Sequence, residues 1–462
     1  MLLAFLFGLA ADVVRFDARP LGWVRTLRSH ERRTLAVVAA LAIPISFFGY
    51  ASAFASAIAE VRPAALERGL PIAIFGLFPY ASALPSRGLE LLALTVVEGL
   101  ALVCYAFTMD ALDRRVRRSI TTAIVAALGI AAVAAHGAHA SDMYLYVGLA
   151  TLGAQAYQPP AVALPGDLAI VSHIWGVPLL PSAYGPLWIA LSALLVAPLG
   201  SLFAKLIAFR ILGFASIVGC AFLARALGSS KAVVAAIACN PAFYDLYVMN
   251  AHNDLFGVDL VLAAMVCIKR GWRGAGIALV IAATFVKFTL LPAAFACAVY
   301  ERSFARRIGG AALATIVTAS LYLFADGGVF PRAFLIVSKR GLPPTPPIET
   351  VLHLALVAAA FVAIGAALLY GRVRARAGWA FPALAAPVHL WYLGWGLPFA
   401  LTDDAVALPF LLTLPIPLFL LSPLYGNAWP FDALRFALAF GAIALLVMRS
   451  RTSRARALLD RG

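Results

Sequence analysis

Apolar runs long enough to cross a membrane alternate along this chain with short segments rich in Arg, Pro and Gly. A helix needs about 20 mostly apolar residues to span a hydrocarbon core. The first such run, Thr34 to Phe54, follows Arg15, Arg19, Arg25, Arg28, Arg32 and Arg33. Basic residues stay on the cytoplasmic side, so residues 1–33 read as a cytoplasmic or interfacial segment. A second run, Gly88 to Met109, returns to Asp113-Arg114-Arg115-Val116-Arg117-Arg118, and a third, Ile120 to Ala135, leads out again. Charge bias thus places Asp142 on the outer side.

The pattern then changes. Tyr157-Gln158-Pro159-Pro160 and the prolines from Pro178 to Pro186 break any continuous helix. Leu187 to Val196 is apolar, but counting it as a crossing puts Arg225 and Lys231 outside. The stretch at about 136–200 therefore reads as a large outer loop with short helices on the membrane surface. Crossings follow at Leu206 to Ala224, Ala232 to Tyr247 and Leu255 to Ile268. Gly274 to Ala298 has basic clusters at both ends, which predicts two short tilted helices or a re-entrant hairpin with Lys287 near its turn. Ala311 to Phe324 exits, 326–349 forms a second outer loop, and Thr350 to Leu369 returns. If Trp379 to Leu401 is one crossing, the basic tail at 451–462 ends outside. If it folds back near Trp391 the tail ends inside, which the charge rule favours. The expected architecture is an all-α polytopic membrane protein with a single domain at 34–450 and about eleven to thirteen membrane segments.

Composition removes the soluble alternative: 63% of the 462 residues are hydrophobic, only 12% are charged, and mean hydropathy is +0.94. The net charge of +15 lies in short clusters between apolar runs, a positive-inside distribution and not a nucleic-acid surface. The five cysteines show no CxxC and no ligand spacing, and read as small buried hydrophobes. Met1 to Ala11 is apolar but precedes its basic residues, the reverse of a cleaved signal peptide. The chain shows no internal repeat, against the inverted-repeat transporters.

Polar constellations at the ends of apolar runs carry the chemistry, because ionisable groups at the edge of a bilayer are costly. Asp142, in Ser141-Asp142-Met143-Tyr144-Leu145-Tyr146, serves either as a helix opener or as a general base taking a proton from a hydroxyl. Tyr144 and Tyr146 either orient a sugar or belong to an interfacial belt. Tyr184-Gly185-Pro186 reads first as a turn opening a helix, with a substrate role for Tyr184 secondary. His252, Asn253 and Asp254 either cap the next helix or hold sugar hydroxyls or a phosphate. Lys287 lies in an apolar run, where a buried ammonium needs an anionic partner, unless it snorkels to the interface. Lys339 and Arg340, outside against the charge trend, suit a phosphate leaving group. His389, Trp391, Tyr392 and Trp395 form an aromatic cluster suited to stacking on a sugar or to an interfacial belt. No acidic pair flanks Asp142, and no metal requirement is expected.

Four blocks in this order resemble the GT-C superfamily of integral-membrane glycosyltransferases, most closely the polyprenyl-phosphate-mannose-dependent mannosyltransferases of bacterial envelopes. They are Ser141-Asp142 with its tyrosines; Ser182-Ala183-Tyr184-Gly185-Pro186-Leu187; Asn250 to Asp254 leading on to Lys287-Phe288-Thr289-Leu290-Leu291-Pro292; and His389-Leu390-Trp391-Tyr392-Leu393-Gly394-Trp395. Together they cover Ser141 to Trp395. The resemblance implies a GT-C-like bundle, an outward catalytic cavity, a lipid-monophosphate sugar donor, and Asp142 at the catalytic carboxylate.

The expected activity is inverting transfer of a hexose, mannose first, from polyprenyl phosphate to an envelope glycan, glycolipid or protein. It would take place on the outer face of a bacterial inner membrane, with the lipid-linked sugar as co-substrate and no other cofactor. Lys287, Lys339 and Arg340 would stabilise the departing phosphate. Tyr144, Tyr184, His252, Asn253, Asp254, His389, Trp391, Tyr392 and Trp395 would contact sugar or acceptor. The alternatives are a transporter or flippase for a lipid-linked sugar, and a polymerase or ligase using a lipid-diphosphate donor.

Overall fold

The computed structural model describes residues 118–134, 142–229, 231–298, 300–301 and 303–324. Among them the structure is helical, without a named strand. Helix α1 is Arg118–Ala134, matching the third predicted run. The next described segment opens on α2, Asp142–Leu152, with Asp142 in its first turn, where a carboxylate favours the helix dipole. Short 3-10 turns at Gly153–Tyr157 and Gly166–Leu168 lead to α3, Ala169–Trp175, and then to α4, Pro186–Val196. Pro186 sits in the first turn of α4, where its fixed φ fits and its missing N–H costs nothing.

At about 16 Å, α4 is too short to cross a membrane core of about 30 Å, so the expectation of short helices in this loop holds. One detail differs: α2 does not lie on a surface with one face open. Every residue from Met143 to Ala150 is buried, as a helix apolar on all sides requires.

Helix α5, Leu202–Leu227, is the longest described. Ser201 Oγ accepts from the Ala204 N–H at its start, and Gly228, with φ of 105°, closes its end. The Asp167 carboxylate also accepts from the Leu202 N–H at 2.6 Å, tying the segment of short helices to the helix that follows it. The run predicted as one crossing from Ala232 to Tyr247 is instead broken into α6, Lys231–Ala238, a single turn at Pro241–Phe243, and a π-helical turn at Tyr244–Met249. Pro241 has no N–H to continue the ladder, and the preceding Asn240 Oδ1 caps the new turn by accepting from the Ala242 N–H.

Helix α7, Asp254–Lys269, packs between α5 and α8, Arg273–Val286. Lys269 Nζ donates to the Leu227 carbonyl at 2.8 Å, placing a cation at the negative end of α5. After α8 the chain is extended at Lys287, then continues as the 3-10 segment Phe288–Ala298. Two short helices with Lys287 at the break are what the flanking basic clusters predicted. Helix α9, Phe304–Phe324, packs on both of them, with Thr284 and Thr318 hydroxyls 3.2 Å apart and Tyr322 donating to the Thr284 carbonyl at 2.6 Å. Helices α5 and α9 are long and apolar enough to cross a membrane. The segments predicted at 1–117 and beyond residue 324 lie outside the described residues.

Candidate active site

Three separate pieces of chain deliver the site. The first is the start of α2. Asp142 and Tyr146 are one helical turn apart and share a face. The Tyr146 ring meets Tyr184 edge-on at 4.9 Å and Trp188 at 5.2 Å, and Phe209 of α5 completes this aromatic wall. Burial holds the Tyr146 hydroxyl well above its ordinary pKa, reinforced by nearby Tyr184, Asp142 and Asp254. Tyr146 is therefore neutral, a packing group and not a base.

The second piece is the strand-like run into α4. Tyr184 pairs with Lys287 in one antiparallel β-bridge, and the Gly185 N–H donates to the Val286 carbonyl at 3.1 Å. Gly185 is required here, because a Cβ would collide with the Phe285 carbonyl. The Tyr184 backbone is further held by Ser182 Oγ, which accepts from its N–H at 3.1 Å, and by Tyr157, whose hydroxyl donates to its carbonyl at 3.0 Å.

The third piece is the turn before α7. A π-helical turn places an extra residue in the coil, and such turns concentrate at functional sites. Here Asn250 Nδ2 donates to both the carbonyl and the carboxylate of buried Asp245, at 2.9 and 3.0 Å. Ala251 follows in the left-handed region at φ 51°, a conformation costly for a non-glycine residue. The His252 N–H then returns to the Leu246 carbonyl at 3.1 Å. Gly213 of α5 admits this turn, since any side chain there would meet the Tyr247 carbonyl.

The three pieces converge. His252 Nδ1 lies 3.2 Å from Asp142 Oδ2, and the Tyr184 hydroxyl reaches the same oxygen at 3.5 Å. Lys287 Nζ pairs with Asp254 Oδ1 at 2.7 Å and lies 6.0 Å from the centre of the Tyr184 ring. Asp142 is the most open of these charged groups, with 26% of its side chain exposed, against 13% for Lys287, 3% for His252 and none for Asp254. A carboxylate open to a ligand and an ammonium thus lie on either side of one tyrosine.

Asp142, Tyr184, His252, Asp254 and Lys287 are brought together as the sequence suggested. The anionic partner expected for Lys287 is Asp254, which turns the ammonium inward and sets snorkelling aside. Tyr184, read first as a turn residue, is central. Asn253 takes the N-cap position of α7 but makes no capping bond, and its buried carboxamide has no hydrogen-bond partner. Tyr144 is buried in the core around α2. Lys339, Arg340, His389, Trp391, Tyr392 and Trp395 lie outside the described residues.

Sequence reasoning weighed Tyr146 only beside Tyr144, as a sugar-orienting or interfacial ring, and did not see its place in the aromatic wall; it passed over the Asp245–Asn250 clamp, which left no pattern to find. Among the described residues no three His, Cys, Asp or Glu side chains cluster closely enough to hold a metal ion.

The family described as Alpha-(1->6)-mannopyranosyltransferase, N-terminal domain, matches residues 46–301 and so includes all three pieces of the site. No curated protein and no solved structure matches the chain. The agreement with the mannosyltransferase resemblance of the residue blocks is direct, and the match covers more than half of the sequence. The chain belongs to the alpha-(1->6)-mannopyranosyltransferase family.

Proposed function

We propose that this protein is an inverting GT-C-type mannosyltransferase that uses polyprenyl-phosphate mannose and works on the outer face of a bacterial inner membrane. The supporting observation is the convergence of Asp142 and Lys287 on Tyr184. Transfer by direct displacement needs a base for the acceptor hydroxyl and positive charge near the leaving phosphate. Asp142 accepts the hydroxyl proton while the acceptor oxygen bonds to the anomeric carbon. The bond from that carbon to the phosphate oxygen breaks, and its electron pair leaves with the lipid phosphate. That phosphate gains a negative charge in the step, and Lys287, 6.0 Å from the centre of the Tyr184 ring, is the candidate cation to meet it. The proton on Asp142 then passes to water.

One displacement inverts the anomeric carbon, unlike the two-carboxylate double displacement of retaining glycosidases. If the product is the α-(1→6) linkage of the family description, the donor is β-linked and the acceptor is a primary 6-hydroxyl on an envelope glycan, glycolipid or glycoprotein. The membrane lipid itself presents the donor.

The test is donor competition. The purified protein is offered β- and α-linked polyprenyl-phosphate mannose, a polyprenyl-diphosphate sugar and a nucleotide sugar, each radiolabelled, with a mannoside acceptor. Transfer from the β-linked monophosphate alone is expected. Transfer from the diphosphate points to the polymerase or ligase class. Translocation of intact donor without transfer points to a flippase.

A further inference from the structure

We propose that His252 is a positioning residue for Asp142 and does not itself contact sugar or phosphate. The assignment rests on the general-base reading of Asp142. Three observations carry it. His252 Nδ1 lies 3.2 Å from Asp142 Oδ2. A carboxylate has no proton to give, so this contact is a hydrogen bond only when Nδ1 carries the hydrogen, and that requirement sets the tautomer of a neutral ring. The His252 side chain is 3% exposed against 26% for Asp142, so the imidazole stands behind the carboxylate and not beside it in the open site.

The third observation is the rigidity of the mount. His252 follows the π-helical turn, whose geometry is clamped by Asn250 on Asp245, and its own N–H is tied to the Leu246 carbonyl. Asp142 is the first residue of α2. A carboxylate at a helix start rotates about two side-chain bonds unless something fixes its plane. His252, fixed from the far side, does so together with the Tyr184 hydroxyl. The costly left-handed backbone at Ala251 is explained on the same terms: it turns the chain from the π-helical turn so that His252 reaches Asp142.

The chemistry needs this restraint because proton transfer follows geometry closely, and a misplacement of about 1 Å costs roughly a hundredfold in rate. A positioning role also predicts how particular replacements behave. The Nδ2 of Asn occupies nearly the place of the histidine Nδ1, whereas the amide of Gln reaches towards the place of Nε2.

The experiment measures steady-state transfer by the full chain in detergent, from radiolabelled polyprenyl-phosphate mannose to a mannoside acceptor. It compares His252→Ala, His252→Asn, His252→Gln, Asp142→Asn, and His252→Ala combined with Asp142→Asn, with thermal unfolding of each to confirm folding. His252→Ala is expected to lower kcat about tenfold to a hundredfold with both KM values within about twofold. His252→Asn should recover most of that loss and His252→Gln little. In the Asp142→Asn background, His252→Ala should add less than about threefold, since a residue acting only through another has nothing left to position.

A rise in either KM with kcat unchanged would make His252 a substrate ligand and overturn the assignment. So would equal losses in the Asn and Gln variants, or full additivity in the double variant. Should His252→Ala fail to fold, the contrast between Asn and Gln decides alone. If Asp142→Asn keeps full activity, the base reading has failed and the His252 role with it. If Asp142→Asn is inactive while His252→Ala is not, only the His252 role has failed.

Discussion

Tyr184 and Lys287 lie opposite each other in a single antiparallel β-bridge, with the Lys287 ammonium 6.0 Å from the centre of the Tyr184 ring. The bridge joins the run before α4 to the break between α8 and the following 3-10 segment. Through it the residue whose hydroxyl reaches Asp142 and the residue whose ammonium pairs with Asp254 share one backbone support.

Gly185→Val should break that support. Its side chain would enter the space of the Phe285 carbonyl, and overpacking of this kind costs about 1–3 kcal/mol. A lower midpoint of thermal unfolding together with a fall in kcat is expected. An unchanged midpoint would show that the bridge is not a structural joint.

Asp254 is fully buried and Lys287 largely so, and removing one member of the pair strands the other charge. Lys287→Met and Asp254→Leu should each destabilise by about 3–5 kcal/mol, and the double variant by less than either. Chemical unfolding of the four proteins reads this directly. A double variant less stable than both singles would contradict it. The double variant should remain poor in transfer, because the leaving phosphate then lacks its cation.

Asn250→Ala removes two hydrogen bonds to Asp245 and leaves a buried carboxylate short of a partner, a loss of about 1–3 kcal/mol. Because the clamp carries His252, kcat should fall as well, and Asn250→Asp should fare worse by adding a second buried carboxylate. Hydrogen exchange over residues 244–252 would show the turn opening. Unchanged protection there would contradict the clamp.

Tyr184→Phe deletes only the hydroxyl that approaches Asp142 at a long 3.5 Å and keeps the ring and the bridge. The loss in kcat should stay below about tenfold, smaller than for His252→Ala, since a hydrogen bond of this length is weak. A larger loss would mean that the hydroxyl contacts substrate.

How much of this was legible in the sequence depends on range. The short helices between 142 and 196 and the break at Lys287 followed from charge bias and proline placement, and the cost of ionisable groups near apolar runs singled out Asp142, His252, Asp254 and Lys287 one by one. Those are local signals. Pairings across the chain were not legible. Nothing near Lys287 names Asp254 as its counter-ion, and nothing near Tyr184 announces a bridge to Lys287. The π-helical turn was hidden because Ala232 to Tyr247 is mostly apolar, with Asn240, Pro241 and Asp245 as its only interruptions, and none of these signals a π-helical turn. Asn253 shows the opposite error: it is a residue type that favours capping, at the capping position, without the capping bond.

The most direct measurement is the rate of transfer from radiolabelled β-linked polyprenyl-phosphate mannose to a mannoside acceptor by the purified protein and by its Asp142→Asn variant, under saturating donor and acceptor. The account predicts α-linked product from the wild type and a loss of about a hundredfold or more in the folded variant. Undiminished transfer by Asp142→Asn would contradict it, and would move the base away from the carboxylate that His252 and Tyr184 converge upon.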